Sequence, residues 1–176
     1  TETKREITRW PMYKRARTGI GYLAQDPSIF RRMTVEQNLM AILETMPLSR
    51  QERRERMEAL LEDFGITHLA KQKAFTLSGG ERRRTEISRA LVTNPRLMIL
   101  DEATEGLAPL IREDIWKVIA TIRESGISTL IVDKNIKALK KLCDRHVVIV
   151  KGKVHFDGSS EELDQNLEKV ETALSV

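Results

Sequence analysis

Two short stretches in fixed order constrain this chain more than anything else in it: Phe75-Thr-Leu-Ser-Gly-Gly-Glu-Arg-Arg83 and, downstream, Arg96-Leu-Met-Ile-Leu-Asp-Glu102. Ser78 precedes Glu81 by three residues, the spacing of a reciprocal cap in which each side chain accepts the other residue's backbone N–H. A helix therefore starts at Gly79, and its first N–H groups, lacking partners, attract an anion such as a phosphate. Leu97 to Leu100 is a short apolar run that reads as a buried strand. It delivers Asp101 and Glu102 to its carboxyl end, the edge at which open α/β sheets bind ligands. One carboxylate there suits Mg²⁺, and the other can orient an attacking water.

The flanking sequence supplies the matching architecture. Residues from about Asp26 to Asn94 read as helices. Thr34-Val-Glu-Gln37 leads into Leu39, Ile42, Leu43 and Met46, and Ser49-Arg-Gln-Glu52 into Met57, Leu60, Leu61 and Phe64, where Gly65 supplies a left-handed stop. From Arg96 onward strands alternate with helices, the rhythm of a parallel sheet with crossover helices. The strands are Leu97 to Leu100, Ser128 to Val132 and Val147 to Val150. Pro109 fits the first turn of a helix whose inner face is Ile111, Ile115, Ile119 and Ile122 and which Gly126 ends. Lys151-Gly-Lys153 turns the chain into a hairpin with Val154 to Phe156, and Ser159-Ser-Glu-Glu162 caps a terminal helix.

Composition removes several function classes. With 176 residues and 40% hydrophobic content the chain can bury one domain's core. Its 30 basic residues are interleaved with 26 acidic ones, so a net charge of +4 describes a mildly basic surface and no nucleic-acid stripe. Arg50 to Arg56 mixes signs at helical spacing, as a solvated face does, and Arg82 to Arg84 read by default as the exposed flank of the capped helix, with a partner phosphate or an acidic contact as the alternative. A lone cysteine, Cys143, excludes an internal disulfide, and His68, His146 and His155 are too scattered for a metal site. There is neither a signal peptide nor an apolar run of about 18 residues, so direct membrane insertion is not expected.

Taken together, Leu77-Ser-Gly-Gly-Glu81, the strand from Arg96 to Glu102, and Gln25 in Gly19-Ile-Gly-Tyr-Leu-Ala-Gln25 resemble the nucleotide-binding subunit of ABC transporters. The resemblance implies a P-loop NTPase core of α/β class, with a parallel sheet and an inserted helical subdomain at residues 26–94. Residues 95–176 would then form part of the RecA-like core and the C-terminal hairpin and helix. No G-x-x-x-x-G-K-[ST] loop is present, so the chain reads as a partial domain, inactive alone. By resemblance the cofactors are ATP and Mg²⁺. Leu77, Ser78, Gly79, Gly80 and Glu81 would contact the nucleotide of a second ATP-binding subunit, Asp101 and Gln25 would bind Mg²⁺, and Glu102 would be the general base. Ala108 stands where the family commonly has aspartate, and Lys134 stands at the switch-histidine position. The implied partners are transmembrane permease subunits, at the cytoplasmic face of the inner membrane.

Two subfamilies share the resemblance. Pro11 to Tyr22, Ser28 to Asn38 and Leu77 to Arg84 are most similar to the ATP-binding subunit of lipopolysaccharide export. Thr104 to Trp116 and Val132 to Asn135 are most similar to that of branched-chain amino-acid uptake. A non-catalytic binding module is the alternative that the missing loop favours. A chromosome-maintenance ATPase would need long heptad stretches, and the sequence has none.

Overall fold

A computed structural model describes residues 6–174. They divide into two compact units, the first running to Val132 and the second starting at Asp133.

In the first unit, α1 (Met12–Arg17) leads into β1 (Ile20–Leu23), which pairs in parallel with β2 (Leu97–Asp101), itself paired in parallel with β3 (Ser128–Val132). The sheet order is β1-β2-β3. Neither α1 nor β1 is expected from the sequence: α1 buries nothing and β1 is only four residues long, so neither leaves a periodic apolar pattern. Leu23, Met98 and Leu100 are buried on one sheet face. Opposite them, Tyr22, Leu130 and Val132 remain about half exposed.

Three helices lie between β1 and β2: α2 (Val35–Leu43), α3 (Arg50–Asp63) and α4 (Gly79–Leu91), with 3₁₀ turns at Thr67–Leu69 and Ala74–Thr76. Each of the three starts with the reciprocal cap expected from its sequence, at Thr34, Ser49 and Ser78. Such a cap contributes about 1 kcal/mol. Gly65, at φ +62°, follows α3 in the left-handed conformation that its position calls for. Leu39 and Leu43 of α2, Met57 and Leu61 of α3, and Ile87 and Leu91 of α4 form the core of this helical layer.

After β2, Pro109 begins α5 (Pro109–Glu124), whose Ile115, Ile119 and Ile122 are buried, and Gly126, at φ +84°, follows it. Full burial of one such side chain is worth about 1.5–3 kcal/mol.

In the second unit, α6 (Ile136–Leu142) precedes a hairpin of β4 (His146–Val150) and β5 (Lys153–Gly158). Lys151 and Gly152 both have positive φ, the signature of a tight two-residue turn whose twist matches the strands. Ser159 caps α7 (Ser160–Gln165), and α8 (Leu167–Leu174) follows, so the expected terminal helix is broken in two around Asn166. No helix among the described residues is long and apolar enough to cross a membrane.

His146 gives this unit a pH dependence. It is 7% exposed, its Nε2 lies 2.7 Å from Ser160 Oγ, and burial, followed by the Lys140 charge, holds its pKa below the ordinary 6.5. The unfolded chain therefore takes up the proton more readily than the folded unit. His146 contributes no penalty well above about pH 6.5, and stability is lost as pH falls through that value towards the folded pKa. Denaturant titrations of the second unit should show a lower midpoint at about pH 5.5 than at about pH 7.5, and His146→Gln should flatten the difference.

Candidate functional site

The carboxyl ends of β1 and β2 lie side by side, Leu23 paired with Leu100. The residues just past them form a polar cluster. The Tyr22 hydroxyl donates to Asp101 Oδ2 at 3.0 Å, and this bond, reinforced by burial and the neighbouring carboxylate charge, raises the phenol's pKa. One oxygen of Asp101 is thereby held and the carboxylate is oriented. Gln25 Nε2 donates to Glu102 Oε2 at 2.8 Å and to Glu105 Oε2 at 2.6 Å. Of the residues expected from the resemblance, Gln25 is thus bonded to Glu102, and Asp101, the preceding residue, is bonded to Tyr22.

The backbone at this corner is tightly determined. Glu102 has φ +43°, a left-handed conformation that costs an ordinary residue about 1–2 kcal/mol. It persists because the Glu102 N–H donates to Val132 O at 2.8 Å and the Glu102 carbonyl accepts from the Glu105 N–H at 3.1 Å. Such strain is concentrated at functional sites in proteins generally.

Arg83 holds this corner from beneath. The sequence places Arg82 to Arg84 on an exposed flank, and the structure corrects that for Arg83, which is 6% exposed. Its Nε donates to Ala103 O at 2.8 Å and its Nη1 to Ala24 O at 2.9 Å, while Nη2 reaches the carbonyls of Asp101 and Glu102 at 3.4 and 3.5 Å. Glu86, also buried, accepts from Arg83 Nη1 at 3.2 Å and, through its other oxygen, from the N–H groups of Ser28 and Ile29. Desolvation lowers the Arg83 pKa, and Glu86 opposes the shift. Arg84 is tied too, to Phe64 O and Asp114. The signal for Arg83 is its place on one helical row with Gly80, Ile87 and Leu91, the buried stripe of α4.

The segment that follows Gln25 is pinned from the same helix and from α2. Arg89 Nη2 donates to Ser28 O and Oγ, its guanidinium lies over the Phe30 ring, and buried Asn38 bonds both backbone groups of Phe30.

Ser78, Gly79, Gly80 and Glu81 occupy the start of α4 as expected. The Ser78 hydroxyl accepts from the Glu81 N–H, and the Ser78 N–H donates to the Glu81 carboxylate, whose pKa that cap lowers. Gly80 has a packing role the sequence does not reveal: a Cβ there would stand 2.6 Å from Ile111 Cγ2 of α5. Leu77 is half-buried next to the cap, and Ser78 is exposed. Lys134 belongs to the second unit, where it is exposed and precedes Asn135, the N-cap of α6.

The site's oxygen-only donor set suits Mg²⁺, which is commonly held by one or two carboxylates together with substrate phosphates. Asp101 supplies such a carboxylate, and Gln25 a carboxamide oxygen. Among the described residues no three His, Cys, Asp or Glu side chains form a self-sufficient metal group.

A family model described as "ABC transporter" matches residues 2–105. The chain is 45% identical over 160 residues to the lipopolysaccharide export system ATP-binding protein LptB of Acidithiobacillus ferridurans, covering 91% of this chain and 66% of that protein. It is 43% identical over 168 residues to the LptB of Haemophilus influenzae, covering 94% and 70%. The chain thus spans about two thirds of the length of these curated relatives. Among solved structures, cbiO1 from Clostridium perfringens, part of the ABC transporter complex cbiONQ, superposes with a TM-score of 0.79 at 30% identity, over 90% of this chain and 64% of that one. The two relatives' names agree with the export resemblance and give no support to amino-acid uptake.

The buried pair gives a direct test of how the site is held. Glu86→Ala would strand the Arg83 charge and leave the N–H groups of Ser28 and Ile29 unpaired. It should cost about 3–5 kcal/mol, read as a lower denaturation midpoint, with Glu86→Gln costing less.

Proposed function

The chain belongs to the ABC transporter family, and from that premise we propose that it is the ATP-binding, ATP-hydrolysing motor part of a transporter of the lipopolysaccharide-export type. The observation that carries this reading is the cluster of Gln25, Asp101 and Glu102 at the ends of β1 and β2, held by Tyr22, Glu105 and buried Arg83. The identity to export-system subunits supports the transport class.

In this reading phosphoryl transfer to water is promoted chiefly by positioning and charge neutralisation. Bound Mg²⁺ would supply charge neutralisation on the phosphate oxygens. Asp101, oriented by Tyr22, would hold the ion. Glu102 would accept the proton of the attacking water, and the Gln25 carboxamide, anchored through its nitrogen, would present its oxygen to the water or the ion. Ser78, Gly79 and Gly80 would close over ATP held by a second ATP-binding subunit, using the outward N–H groups of α4.

Permease subunits are the proposed membrane partner, at the cytoplasmic face of the inner membrane. The docking surface we assign is the helical layer, where Glu36, Met40, Arg50, Arg53 and Met57 line a groove between α2 and α3.

Two experiments test this. The 176-residue chain should hydrolyse ATP no faster than buffer, because it carries no phosphate-cradling loop, yet it should pair with an ATP-loaded, hydrolysis-blocked LptB. Ser78→Arg should abolish the pairing by placing bulk where the phosphate sits. Turnover by the chain alone that Glu102→Gln removes would overturn the dependence on that loop, and equal pairing of both variants would overturn the role given to Ser78, Gly79 and Gly80. Separately, grafting residues 26–94 into a complete nucleotide-binding domain should direct capture to lipopolysaccharide-export permeases. Preferential capture by amino-acid permeases would reassign the partner.

A further inference from the structure

Glu105 lies in the turn after β2 and has no role in the reading above except as a neighbour of Gln25. The Gln25 carboxamide has two N–H donors on one nitrogen, and carboxylates from two different residues accept from that nitrogen, Glu102 at 2.8 Å and Glu105 at 2.6 Å. We propose that Glu105 is a positioning residue for the hydrolytic reaction, holding the Gln25 carboxamide in one of its two flip states beside Glu102. The proposal rests on the assignment of Gln25 and Glu102 to that reaction.

The argument is one of acceptors and donors. Turning the amide over would set its carbonyl oxygen against two carboxylate oxygens, three acceptors with no proton between them. With Glu102 alone the amide could swing aside and keep one bond to water; a second carboxylate on the other N–H closes that escape. The nitrogen is fixed towards the carboxylates, and the oxygen is left as the free acceptor. Bonds of this type, with an ionised acceptor, are stronger than neutral ones.

The spacing of the two carboxylates is set by the backbone. The Glu105 N–H donates to the Glu102 carbonyl, the Leu107 N–H donates to the Thr104 carbonyl, and Gly106, at φ +70°, lets the chain turn between them. Glu102 is in turn fixed to β3 through Val132. Glu105 therefore belongs to the same rigid corner as Glu102, whereas Gln25 arrives from the end of β1.

The test reads the amide first. In the chain with ¹⁵N-labelled glutamine side chains, the two Gln25 NH₂ proton resonances, assigned by their loss in Gln25→Glu, should both lie downfield of those of a solvated amide, and Glu105→Ala should move one of them back towards the solvated position. Glu105→Gln, which retains an acceptor without the charge, should be intermediate. In a complete nucleotide-binding domain that supplies the phosphate-cradling loop and carries residues 20–107 of this chain, assembled with its membrane partner, Glu105→Ala should lower kcat about tenfold with KM for ATP unchanged, as expected for a misplaced reacting group. Unmoved Gln25 resonances would overturn the proposal, as would an active transporter whose kcat ignores Glu105→Ala. A grafted domain with the wild-type residues 20–107 and no ATPase activity would instead overturn the functional reading and, with it, the catalytic purpose assigned to Glu105, while the resonance shift would still report the contact.

Discussion

The buried pair of Arg83 and Glu86 is the interaction on which the rest of the site depends. A guanidinium presents its donors in a fixed plane, and here that plane satisfies carbonyls from the ends of two neighbouring strands while Glu86 closes the charge. A charged group in a dry interior is costly unless it is paired and fully hydrogen-bonded. The pair therefore tolerates only one arrangement of β1's end, β2's end and the segment at Ser28. Geometry at the polar cluster follows from an electrostatic requirement several ångströms away.

That arrangement joins two kinds of order. The cap at Ser78 and the packing of Gly80 on Ile111 fix where α4 begins and how close it comes to α5. Arg83, one turn further along the same helix, then transmits that placement to the strands. A small residue at one position and a charged one at the next turn act as a single device: the first sets the distance and the second the register.

Much of this was legible in the sequence because it is local. Reciprocal caps at Thr34, Ser49, Ser78 and Ser159, the proline opening α5 and the glycines at 65 and 126 all act within a few residues of themselves, and each is found where its spacing requires. What escaped was long-range. Arg83 looks like one of three surface arginines until the partners at Ala24 and Ala103 are known. Tyr22 meets Asp101, and Gln25 meets Glu105, only because β1 and β2 are adjacent, and the four residues of β1 are too few to show a period.

The left-handed backbone at Glu102 sets a conflict between durability and chemistry. Glycine occupies that region without penalty, and asparagine or aspartate with less than glutamate. A selection for heat resistance alone would therefore favour replacing the carboxylate at this position, gaining on the order of 1 kcal/mol at the expense of whatever the carboxylate does. At Glu102 the backbone angle and the carboxylate thus make opposite demands on one residue.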